Sequence, residues 1–243
     1  MIPNEPLPAT DHQPSETRDP FWTYSDLLLF VFFVFSSIVI ILFLLALVPR
    51  TARGVTSALL AQMAMYALAF GALKAMFFLR YQQPFWRSLG WKPLSFGPAT
   101  ASLFAGPVLA LALVVLSVAL HTSEVPPPFE QLAKGKTAII ILGLLVVVLG
   151  PLAEELAFRG FLMPLLIRSF RPAAGIVLAG VIFGCFHGYE YEWSWRYMLL
   201  ISAAGCAFGW AKQKTGSTAA AAYMHSTFNL IQFGFFLMQS RTL

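Results

Sequence analysis

Six polar residues stand inside apolar runs of this chain: Glu154, Glu155, Arg159, His187, His225 and Asn229. Ionisable groups in hydrocarbon are costly, so they mark function by default. Glu155 and Arg159 are four residues apart. On a helix they share a face and can pair. Glu154 lies about 100° round the same helix, which leaves its carboxylate free for chemistry. His225 and Asn229 are also four apart, on one face and separated by about 6 Å along the axis.

These residue types suit hydrolysis. A water between Glu154 and His187 can be activated by general-base catalysis. His225 and Asn229 can donate hydrogen bonds to the oxyanion formed when water attacks an amide carbonyl. Glu155 and Arg159 then support the helix that carries the base. Zinc is the competing chemistry, since two His and one Glu can hold it with an open position. HExxH is absent, and the ligands would come from three helices, so metal-free hydrolysis is the first reading and zinc the second. A third reading makes the charged residues a buried network that glues helices together.

The elements that must position these groups are membrane spans. The chain has 243 residues, 58% hydrophobic and 11% charged, with a mean hydropathy of +0.72. That composition excludes an ordinary soluble domain. The reading is an all-α, polytopic transmembrane bundle of about seven spans, within a range of six to eight. Apolar runs cover residues 24–48, 55–78, 98–120, 137–167, 173–187, 197–211 and 217–238. Gly150-Pro151 should kink the fourth, because proline removes a helical hydrogen bond. Residues 80–97, rich in Arg, Trp and Pro, read as an interfacial segment. Residues 1–22 read as a disordered tail rather than a signal peptide. Three parts follow: the tail, residues 23–97, and a core over 98–240.

Depth brings the polar set together. At about 1.5 Å per residue, Glu154 lies about 20 Å before the 168–172 turn and His187 about 22 Å after it. From the 212–216 turn, His225 is about 14 Å deep and Asn229 about 20 Å. All four reach a similar level, towards the 188–196 loop. The net charge of +5 sits mostly in short loops, with no basic stripe for nucleic acid. Its distribution, eight Lys and Arg against six, places the N-terminus on the cytoplasmic side. Short loops and compact length point to a prokaryotic plasma membrane. The partners expected are membrane lipid and a membrane-associated protein or peptide substrate.

The motifs resemble those of the type II CAAX prenyl endopeptidase-like family, also called the CPBP or ABI family of intramembrane proteases. EExxxR is matched by Glu154-Glu155-Leu156-Ala157-Phe158-Arg159, FxxxH by Phe183 to His187, and HxxxN by His225 to Asn229. The resemblance covers roughly residues 98–238. It implies a helical intramembrane endopeptidase in which Glu154 and His187 activate water, and His225 and Asn229 stabilise the oxyanion. Glu155 and Arg159 would be supporting. It also implies CAAX-type processing or another membrane-associated cleavage, with a non-catalytic immunity or scaffold protein as the alternative. The older metalloprotease label of the family keeps zinc as the second reading.

Overall fold

A computed structural model describes residues 20–49, 54–122 and 135–239. Among them there is no strand. The helices are α1 (Tyr24–Leu47), α2 (Val55–Tyr81), the short α3 (Phe85–Ser88) and α4 (Phe96–Ala119). They continue with α5 (Lys136–Phe170), α6 (Pro172–Phe186), α7 (Trp195–Thr215) and α8 (Thr218–Gln239). α1, α2, α4 and α5 are long and apolar enough to cross a membrane, and α6 is a shorter apolar helix. The seven long helices fall on the seven apolar runs of the sequence. Their outer faces stay apolar and uncovered, as with Phe32, Phe104 and Val115, which suits contact with lipid. The chain is an integral membrane protein.

α5 carries the two glutamates and is not a uniform helix. It widens into π turns at Leu145–Leu149 and Leu156–Leu162. Glu154 and Glu155 lie on the α-helical stretch between them, Gly150–Glu155. Each wide segment is followed two residues later by a proline, Pro151 or Pro164. A proline ring presses on the carbonyl four residues back and offers that turn no N–H. An i→i+5 turn relieves both demands. The proline expected to kink the helix is thus accommodated by widening, and α5 runs on.

α6 and α7 pack along a seam of small residues. A Cβ on Gly184 would come within 2.5 Å of the Met198 carbonyl, and one on Gly180 within 2.9 Å of the Cys206 amide. The two backbones meet only because nothing stands between them. This seam fixes the end of α6, where His187 follows.

Two expectations for the N-terminal half need correction. Most of the predicted tail lies outside the described residues. Residues 20–22 do not extend it: Trp22 is buried, stacks on Phe77 and Phe161, and donates from Nε1 to the Phe161 carbonyl at 3.0 Å. The 80–97 segment is more than an interfacial ribbon. Leu89 is fully buried, and its carbonyl accepts from Thr218 Oγ1 at 2.6 Å. Gly90, at φ +70, turns the chain so that its carbonyl accepts the Thr218 amide at 2.9 Å. This docks the segment against the start of α8 and partners one of its first amides.

Candidate active site

Glu155 is the electrostatic anchor. Its side chain and that of Arg159 are both fully buried, and Arg159 Nη1 donates to Glu155 Oε1 at 2.8 Å. Arg159 Nη2 donates to the Gly205 carbonyl of α7 at 2.7 Å. The guanidinium also lies over the rings of Phe183 and Phe208, 4.5 and 5.4 Å from their centres, so its charge is met on several sides. The intrahelical pair expected from spacing is present.

A second contact of Glu155 could not be read from spacing. Its Oε1 lies 2.8 Å from His225 Nδ1 on α8. A carboxylate only accepts, so the imidazole donates and Nδ1 carries the proton. His225 is further held by Phe208, stacked at 4.4 Å and 18°. Its other nitrogen, Nε2, then points to Glu154, 3.8 Å from Oε2.

His187 is held in the same way by a different acceptor. Its Nδ1 lies 2.8 Å from the carbonyl of Phe183, one turn back on α6, so Nδ1 is again the donor. Phe183 packs on the ring at 4.5 Å. His187 Nε2 is 3.8 Å from Glu154 Oε2. One carboxylate oxygen of Glu154 therefore faces two imidazole nitrogens at equal distance. The Glu154 side chain is 27% accessible, against none for Glu155.

Asn229 lines the same cavity but turns its amide along α5, donating from Nδ2 to the Val146 carbonyl at 2.8 Å. The structure thus brings His187 and His225 each within 3.8 Å of Glu154. Asn229 borders them, and Glu155 with Arg159 sits behind.

The cavity has a volume of about 710 Å³ and is open to the outside. Sequence reasoning missed part of its polar lining: Gln62, Tyr66, Glu190, Tyr191, Tyr197 and Gln232. Two signals were available. Gln62 and Tyr66 share a face of α2, and Gln232 follows Asn229 by three residues. Tyr191, on the 3₁₀ turn Tyr189–Tyr191, stacks on Tyr197 at 5.0 Å. Burial, then the neighbouring Glu190, Tyr197 and Glu154, pushes the Tyr191 hydroxyl up to about 12. It remains an O–H donor at any working pH. Glu154 and Glu190 are the charged residues among the described lining, which includes no Lys or Arg.

The donor set of two imidazoles and a carboxylate suits zinc in kind. Among the described residues, however, no three His, Cys, Asp or Glu side chains converge to hold a metal ion. Separations of 3.8 Å are wide enough to be bridged by one small molecule bonding to each side at about 2.8 Å.

Residues 136–231 match the family model described as Type II CAAX prenyl endopeptidase Rce1-like. The matched segment runs from the start of α5 into α8 and contains all six polar residues of the three motifs. The resemblance read from those motifs is shown over this segment, and at the family level it is that of a protease. No curated protein and no solved structure matches the chain.

Proposed function

We propose that the Rce1-like segment hydrolyses a peptide bond of a membrane-associated substrate with a water activated by Glu154, without a metal. The observation that carries this is one oxygen of Glu154 facing two oriented imidazoles across a gap of 3.8 Å in an open cavity. In this reading the water donates one hydrogen to Glu154 Oε2 and the other to His187 Nε2. Its free lone pair attacks the substrate carbonyl carbon, and Glu154 takes a proton. Because Nδ1 of His225 is committed to Glu155, its Nε2 can donate to the oxyanion only as imidazolium. The carboxylate of Glu155 supports that charge. Collapse of the tetrahedral intermediate breaks the C–N bond, and the proton on Glu154 passes to the leaving amine.

The lining favours one kind of substrate within this class. Its walls are aliphatic and tyrosine-rich, and beyond the His225–Glu155 pair its charges are the two acids Glu154 and Glu190. A CAAX-type cut leaves three residues after the scissile bond, so the terminal carboxylate lies within about 10 Å of it. Near those acids such a carboxylate is repelled. We therefore favour an apolar segment whose chain continues, uncharged or basic, past the cut.

Vesicles holding the purified protein and membrane-anchored peptides test the activity, with products read by mass spectrometry. Glu154→Gln abolishes cleavage while the protein stays folded, and full activity in that variant would falsify the assignment. Cleavage survives chelation, and metal analysis finds no stoichiometric zinc. Bound zinc needed for turnover would reverse the metal-free part of the reading.

A further inference from the structure

Asn229 and Pro151 meet at one backbone atom. In the first π turn of α5 the Gly150 amide donates to the Leu145 carbonyl, five residues back. The next amide in that register would serve Val146, but residue 151 is proline and has no N–H. The carbonyl of Val146 is left without a helical donor. Asn229 Nδ2 supplies the missing bond from α8, at 2.8 Å. A carbonyl only accepts, so the amide nitrogen must face it. Gly150 keeps the turn compact, since a Cβ there would stand 2.9 Å from the Leu145 carbonyl and 3.8 Å from Glu154 Oε1.

We infer that Asn229 is a positioning residue: it replaces the amide that Pro151 lacks, holds the π turn open, and thereby sets the face on which Glu154 stands. The wide turn contains one residue more than an α turn. Every side chain beyond it, Glu154 included, is rotated by about 100° relative to an unbroken helix. Closing the turn would carry the carboxylate off the line between the two imidazoles. The hydrogen bond also ties α8, which carries His225, to α5 at a second point besides Glu155. One of the two N–H groups of the carboxamide is thereby committed to the backbone, a role distinct from donation to an oxyanion. The inference rests on the proposed hydrolytic site for its kinetic consequence but not for its structural one.

The test is a cycle of wild type, N229A, P151A and N229A/P151A in one detergent. N229A loses about tenfold in kcat with KM little changed, the size expected for stranding a backbone carbonyl. It also melts several degrees lower. Replacing Pro151 by alanine restores an N–H to that turn, so in the P151A background the same substitution costs under about threefold. Equal losses in both backgrounds overturn the inference, because the amide would then act on the substrate directly. A second comparison needs neither cleavage nor P151A. E154Q/N229A melts below E154Q, and an unchanged melting temperature sinks the proposal whatever the activity of Glu154 proves to be.

Discussion

Neutralising the two adjacent glutamates should have opposite consequences. Glu155→Gln removes the charge between Arg159 and His225, both 2.8 Å from Oε1, in a region where neither Glu155 nor Arg159 reaches solvent. Breaking a buried ion pair from one side costs about 3–5 kcal/mol, because the remaining charge has nothing to offset its burial. For a chain of this size each kcal/mol lowers Tm by about 2–4 °C, so the drop is roughly 6–20 °C. Glu154→Gln meets no such penalty. Its side chain is partly accessible, and its imidazole neighbours stand at 3.8 Å, so stability changes by about 0.5 kcal/mol or less. Activity should vanish in E154Q and fall in E155Q, whose His225 has lost its anchor. Thermal unfolding followed by tryptophan fluorescence, run beside the vesicle cleavage assay, separates the two effects. E155Q/R159M, which replaces both charges, recovers stability without recovering full activity. An E155Q protein melting within about 2 °C of wild type would refute the account of Glu155 as the anchor.

Two further outcomes follow from the cavity and its mouth. Peptides ending in a free carboxylate three residues past the cut should be cleaved about thirtyfold less efficiently than their amides. A like charge at about 8 Å costs about 2 kcal/mol at an effective dielectric of 20. Equal kcat/KM for acid and amide removes the argument against a CAAX-type product. Tyr191, pushed up to about 12 in the folded protein, titrates near 10 when unfolded. Between those values the unfolded chain releases a proton that the folded one keeps, so stability falls as pH rises from 10 to 12. Tyr191→Phe removes that share of the alkaline loss, and an unchanged slope in urea titrations across the window contradicts it.

Much of this architecture was readable because membranes impose simple arithmetic. Apolar runs of adequate length had to be helices, since no other open element satisfies its backbone in lipid. Spacing placed Glu155 beside Arg159, and counting residues from two turns put Glu154, His187, His225 and Asn229 at a similar depth. Contacts between helices had no such rule. Nothing local in the sequence says that His225 leans on Glu155, because that depends on how α8 rotates against α5. The position of Trp22 was misread for the opposite reason. It follows a polar, proline-rich stretch, yet one indole against Phe77 and Phe161 is enough to dock the chain before α1 begins. The π turns had a visible cause in Pro151 and Pro164, but proline alone does not say whether a helix will bend, break or widen.

The burial of Arg159 and Glu155 is better explained by orientation than by stability. Apolar side chains of similar volume would often serve a helix interface equally well or better. What they could not do is hold an imidazole by one nitrogen. Arg159 takes the Gly205 carbonyl on α7 with one arm and Glu155 with the other. The same carboxylate oxygen takes His225 on α8. Three helices are thereby referred to a single atom, and Glu154 stands on the next residue of the same short helical stretch. The distance from Glu154 to His225 is consequently set by two adjacent residues of one helix and one short hydrogen bond, with no loop in between. His187 reaches the same carboxylate from the end of α6, held by the carbonyl and the ring of Phe183. Of the two imidazoles it is the more accessible, 16% against 5% for His225.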